Sequence, residues 1–181
     1  MAEVRILLFA CLLLPGVAVS SEALWSLLEP GGQVILIRHT LTTPGAGDPP
    51  GMRLDDCGTQ RNLSEEGRAH ARRIGEEFRK RRIPVERVLS SPWCRCLETA
   101  RLAFGKAEVS QPLSNLFGRP ENRQKQTNQL KALIAQRPGK GNLVLVTHGS
   151  TIFALTGVSP GMGEMVIVSR DGKVAGRLAS E

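Results

Sequence analysis

The chain has 181 residues, 41% of them hydrophobic and 4% aromatic, with no tyrosine and a formal net charge of +7. That length and apolar content suffice for one domain whose core needs no structural metal, and no internal repeat or second composition block points to another. The charge calls for an anionic partner, but so few aromatics exclude the stacking platforms by which single-stranded nucleic acid is held.

The first residues differ from the rest. Ile6 to Val19 is apolar apart from Pro15 and Gly16 and follows Arg5. The run is too short to span a bilayer comfortably, which takes about 20 residues, but it suits the apolar segment of a signal peptide. Residues 1–20 are therefore expected to be a cleaved signal peptide. The small-x-small patterns Ala18-Val19-Ser20 and Ser21-Glu22-Ala23 allow cleavage after 20 or 23. The domain, residues 24–181, would then be exported, periplasmic or secreted, with no stable membrane span after cleavage. Cleavage removes Cys11 and leaves Cys57, Cys94 and Cys96, which in an oxidising compartment means one disulfide and one spare thiol. Cys57 pairs with Cys94 or Cys96, and the sequence leaves the choice open. A zinc site fits poorly, because the close pair is separated by one residue instead of two to four.

Farther along, Val34 to His39 reads as a buried strand that stops on Arg38 and His39. A loop rich in glycine, proline and aspartate runs from Thr42 to Asn62. Ser64 is a good N-cap with Glu65 and Glu66 in the first turn, which predicts a helix from Glu65 to Arg81. The basic run Arg79-Lys80-Arg81-Arg82 falls at its end, where cations complement the helix dipole. Val85 to Ser90 is a second strand, and Ser91-Pro92 starts a helix with proline at its first position, reaching Ala103. Val109 belongs to a minor strand. Gln111 to Asn122 lacks periodicity, whereas Gln124 to Gln136 has helical spacing through Leu130, Leu133 and Ile134.

Asn142 to Thr147 repeats the pattern of the first strand and ends on His148, with a short helix near Thr151 to Leu155. Met165 to Ser169 and Lys173 to Leu178 flank Asp171-Gly172, a strong hairpin signal. This alternation predicts a single three-layer α/β/α domain with a mainly parallel sheet and a C-terminal edge hairpin. Ligands bind at the carboxyl ends of such strands, and two strands there deliver an imidazole each.

Four motifs in order, Arg38-His39-Thr40, Leu63-Ser64-Glu65-Glu66-Gly67, Ser90-Ser91-Pro92-Trp93-Cys94-Arg95-Cys96-Leu97-Glu98-Thr99-Ala100 and Thr147-His148-Gly149, resemble the histidine phosphatase superfamily, its phosphoglycerate-mutase-like branch. With a signal peptide and cysteines in these places the chain further resembles exported members such as lipopolysaccharide core heptose-phosphate phosphatases. The resemblance implies a metal-independent phosphomonoesterase without cofactor, acting on a phosphorylated small molecule, sugar or surface glycan. His39 would attack phosphorus and form a phosphohistidine, with Arg38, Arg95 and His148 around the phosphoryl oxygens. A neutral imidazole is a competent nucleophile, and cations stabilise the charge spread over a transferring phosphoryl group. Thr42 lies where a phosphate-contacting hydroxyl is expected.

The chain departs from that pattern at Thr40, where a glycine is usual, and in Pro44-Gly45-Ala46, where a loop asparagine is usual. The resemblance also implies a proton donor in the later loop, where Glu121 is the carboxylate present; Asp48, Asp55 and Asp56 in the first loop are rivals. Alternative functions are a phosphohistidine-protein phosphatase, a mutase, or a catalytically silent phosphate-binding module. His70, between Ala69 and Ala71, reads as an ordinary helix residue. Specificity is assigned to the loops Thr43 to Asn62 and Gln111 to Gln124.

Overall fold

The computed structural model describes residues 20–136, 139–169 and 173–179. The leader and the hairpin turn Asp171-Gly172 lie outside the described residues. The elements are α1 (Ser21–Leu28), β1 (Val34–Arg38), α2 (Glu65–Lys80), β2 (Val85–Ser90), α3 (Cys94–Phe104), β3 (Glu108–Val109), α4 (Arg123–Ala135), β4 (Asn142–Thr147), α5 (Gly149–Thr156), β5 (Met165–Val168) and β6 (Val174–Leu178).

The strands form one sheet in the order β3-β2-β4-β1-β5-β6. Neighbours from β3 to β1 are parallel, while β5 and β6 run antiparallel as the edge hairpin. Alternating residues of β1 face opposite layers, as the period of two requires. Ile35 and Ile37 join Trp25, Ile74, Phe78 and Ala100 from α1, α2 and α3. Val34 and Leu36 join Leu130, Ile134 and Ile152 from α4 and α5. The three-layer α/β/α domain read from the sequence is the one observed.

Three local features differ from the sequence reading. Helix α1 has no counterpart in it: Ser20 caps this helix by accepting from the Ala23 N–H, and Leu24, Trp25 and Leu28 are buried in the core. Helix α3 begins at Cys94, not at Pro92. Its first amide is capped from afar, the Cys94 N–H donating to Gln60 Oε1 at 3.0 Å, so the local proline signal is outweighed by a contact 34 residues away in sequence. Helix α5 runs from Gly149 to Thr156, starting directly after His148.

The cysteine ambiguity resolves as a Cys57–Cys94 disulfide with Cys96 free and buried. Two residues on a helix are turned by about 200°. Cys94 therefore meets the long loop, while Cys96 faces inward toward Thr147 O and His148.

Candidate active site

Strands β1 and β4 lie side by side and in register from Val34 opposite Leu143 to Arg38 opposite Thr147. The next residue of each strand is thereby placed at the same sheet edge. The His39 N–H continues the ladder by donating to Thr147 O at 2.9 Å. The two imidazoles meet edge to face with centroids 5.5 Å apart. A cavity of about 480 Å³ opens there, and His39, His148, Arg38, Arg61 and Arg95 all line it.

His39 is only 3% exposed. Its Nδ1 lies 2.9 Å from Thr40 O. A carbonyl can only accept, so Nδ1 carries the proton in the neutral ring and Nε2 keeps its lone pair. Burial, reinforced by the charges of Arg95, Arg38 and Arg61, outweighs the Thr40 carbonyl and lowers the His39 pKa to about 3. The ring is neutral near pH 7, with a nucleophilic nitrogen. Thr40, the bulky replacement for glycine, does not line the cavity. Its amide and hydroxyl meet Thr99 Oγ1 on α3 at 3.2 and 3.3 Å.

His148 is fully surrounded, and its Nε2 lies 2.8 Å from Ser91 Oγ and 3.5 Å from Cys96 Sγ. Ser91 Oγ also accepts from the Trp93 N–H, so this hydroxyl joins the His148 ring to the residue that precedes α3. Burial, then the charges of His39, Arg95 and Arg38, hold this ring well below the ordinary histidine pKa. Gly149 completes the motif for a steric reason, since a Cβ there would come within 3.3 Å of Arg38 Nε. The guanidinium of Arg38 can rest against the start of α5 because that side chain is missing, with Nη1 donating to Pro160 O at 2.9 Å.

Arg95, 1% exposed, forms a forked ion pair with Asp48 through Nη1 and Nη2. Asp48 also accepts from the Arg61 backbone N–H and the Trp93 indole. Burial opposes its charge, but Arg95 and these donors hold the Asp48 carboxyl below its usual range. With four N–H donors committed to it, Asp48 anchors Arg95 at the cavity. Asp55 pairs with Arg53 at the surface and Asp56 caps the short turn at Cys57.

Two of the expected site residues lie apart from the cavity lining. Glu121 stands exposed on the turn Pro120–Asn122, where it accepts from Asn122 Nδ2, and it does not line the cavity. That turn leads straight into α4, and Arg119 just before it lies over the Trp93 ring, 5.4 Å from its centroid. Thr42 also misses the cavity lining. It pairs with Leu63 in an isolated bridge and directs its hydroxyl toward Met162 Sδ. His70 is buried against Gly163, where a Cβ would fall 2.1 Å from its ring; the Gly163 N–H in turn donates to the carbonyls of Arg38 and His39.

Residues that the sequence did not single out complete the site. Arg61 and Phe117 lie within the two loops assigned to specificity. Asn115 accepts from Ser150 Oγ, tying the second loop to α5. Arg61 could have been anticipated, because it directly precedes the Asn62-Leu63-Ser64 entry to α2, which the Thr42–Leu63 bridge holds beside β1. Among the described residues no group of three or more His, Cys, Asp or Glu side chains is arranged to hold a metal ion.

The family model for the histidine phosphatase superfamily (branch 1) matches residues 34–116, a segment that contains His39, Arg38, Arg61 and Arg95. No curated protein matches the chain. Among solved structures the fold is similar to that of a candidate phosphohistidine phosphatase SixA from Agrobacterium tumefaciens, at 23% identity and TM-score 0.57 over 84% of this chain and 99% of that one. It is also similar to a protein histidine phosphatase SixA complexed with tungstate, at 18% identity and TM-score 0.56 over 82% and 97%. A third similar structure is TTHB049 from Thermus thermophilus, at 20% identity and TM-score 0.55 over 81% and 99%. With His39 and all three cavity arginines inside the matched segment, the chain resembles the histidine phosphatase superfamily, branch 1, as its motifs implied.

Proposed function

We propose that the protein is a metal-independent phosphomonoesterase in which His39 Nε2 attacks phosphorus in line. The bond from phosphorus to the leaving group breaks, a phosphohistidine forms, and water then hydrolyses it. The observation that carries this reading is the His39 Nδ1 contact with Thr40 O, which fixes the tautomer with Nε2 free inside a cavity lined by three guanidinium groups. Those guanidiniums have one carboxylate among them, and the Nε of each is buried without a hydrogen-bond partner among the described residues. A phosphoryl group would supply the missing negative charge where charge develops in the transition state. A tetrahedral oxyanion, tungstate, is held by one structurally similar protein.

Export, to the periplasm or outside the cell, is part of the same proposal. The Cys57–Cys94 disulfide supports it, since such bonds persist in oxidising compartments. A phosphorylated small molecule or surface glycan then comes within reach.

A silent phosphate-binding module is the second reading, favoured by the position of Glu121 outside the cavity. One experiment separates the two. Purified full chain should release inorganic phosphate from phenyl phosphate, unaffected by chelator and inhibited by vanadate. Vanadate binding without any phosphate release from a panel of monoesters would assign the protein to the second reading.

A further inference from the structure

We propose that Phe117 and Phe153 form a leaving-group subsite that selects phosphate esters of flat aromatic groups. The inference rests on the phosphomonoesterase reading and deepens it. Exposed large apolar side chains are few among the described residues, and two of them, Phe117 at 67% and Phe153 at 45% exposed, line the same cavity as the histidines.

Phe117 is held in place. Asn115 Oδ1 accepts from the Phe117 N–H at 3.0 Å and from Ser150 Oγ at 2.9 Å, which fastens the turn carrying the ring to the residue after Gly149. On the other side, a Cβ built on Gly47 would lie 3.9 Å from Phe117 Cε1, so the ring reaches across to the first loop. Phe153 comes from α5, one turn beyond the His148 end. The cavity thus has a cationic half that suits a phosphoryl group and an aromatic half that suits a flat ring, because aromatic faces favour offset stacking or edge contacts.

A second observation points the same way. Asp48, the carboxylate bonded to Arg95, is committed to four donors, and neither it nor Glu121 lines the cavity. An alkoxide expelled without a proton donor is a poor leaving group, since general acid catalysis contributes about 10²–10⁴-fold. An aryl oxide delocalises its charge and needs little such help. In the step proposed, the P–O bond breaks with its electron pair passing to the aryl oxygen, the His39 Nε2–P bond forms, and the released phenolate takes its proton from water.

Competitive binding of phenylphosphonate and methylphosphonate, neither of which can be hydrolysed, tests the subsite independently of turnover. Trp93 fluorescence or calorimetry reads the affinities. Wild-type protein should bind phenylphosphonate about 10-fold more tightly, a factor typical of burying one apolar group. Phe117→Ala and Phe153→Ala should each cut that preference several-fold while leaving methylphosphonate affinity unchanged, which also shows that the variants are folded. Equal affinities in the wild type, or a preference undiminished in both variants, would overturn the subsite. A phenyl preference in a protein that releases no phosphate would instead sink the phosphomonoesterase reading and leave the subsite standing.

Discussion

Two groups of arginines divide this molecule. Arg81 is held by Glu22 and Glu77, Arg87 by Glu108 and Arg177 by Glu164. In each case the carboxylate bonded to it raises the pKa of the guanidinium. At the cavity the guanidiniums of Arg38, Arg61 and Arg95 stand together, and of the three only that of Arg95 is bonded to Asp48. There burial comes first and neighbouring guanidiniums second in lowering the pKa of Arg38 and Arg61. At Arg81, Arg87 and Arg177 charge is compensated by the fold. Inside the cavity the fold holds like charges together, a local conflict of the kind found where binding or catalysis requires it.

The comparison predicts unequal responses to losing a carboxylate. Asp48→Asn leaves Arg95 buried with its charge unpaired and is expected to cost about 3–5 kcal/mol of unfolding free energy. Glu164→Gln, at the half-exposed Arg177 pair, should cost no more than about 1 kcal/mol. Denaturant titration of both variants makes the test, and equal losses would erase the distinction between the two groups.

Next in size is the disulfide. It closes a loop between residues 37 apart in sequence and ties the segment bearing Asp48 and Arg61 to the helix bearing Arg95. Reduction should lower stability by roughly 2–4 kcal/mol, read as a drop in Tm on adding thiol. An unchanged Tm after verified reduction would show that the Asp48 ion pair alone holds the loop.

Acid should expose the buried imidazoles. The folded His39 pKa of about 3 and the lowered His148 pKa lie below the ordinary histidine value. Between the folded and unfolded values the unfolded chain binds more protons, and stability falls as pH drops below about 6.5. The limiting slope is about 1.4 kcal/mol per pH unit for each histidine. Asp48, with its pKa depressed, adds stability that is lost only at lower pH, as the medium passes its folded value. Thermal unfolding between about pH 7 and pH 5 should show the histidine slope, and His39→Asn should flatten it. A wild-type slope of zero would mean that these rings are protonated in the folded protein.

The strand ends of this site were legible from local signals, while Arg95 was legible only through the resemblance of its motif. The apolar runs ending on Arg38-His39 and on Thr147-His148 specify strands by composition alone, and Ser64 caps α2 through a bond to the Gly67 N–H. Gly149 stands where Arg38 needs room. What escaped depends on distant contacts. The start of α3 is set by Gln60, the role of Asp48 by Arg95 and Trp93, and the place of Glu121 by the route its turn takes into α4. Helix α1 was hidden because Ser20 and Ser21, which cap and start it, read as parts of cleavage patterns. Phe117 and Arg61 sit in loops without periodicity, where no spacing rule marks a side chain as facing a cavity.

The central claim is that His39 is covalently phosphorylated during turnover. Rapid acid-free denaturation of the full chain in the steady state with radiolabelled phenyl phosphate, followed by peptide mapping, reads it directly. The account predicts base-stable, acid-labile label on the peptide containing His39, and a loss of turnover of about 10³-fold or more in His39→Ala. Turnover by the wild type without label on that peptide, or a His39→Ala variant that retains full activity, would contradict it.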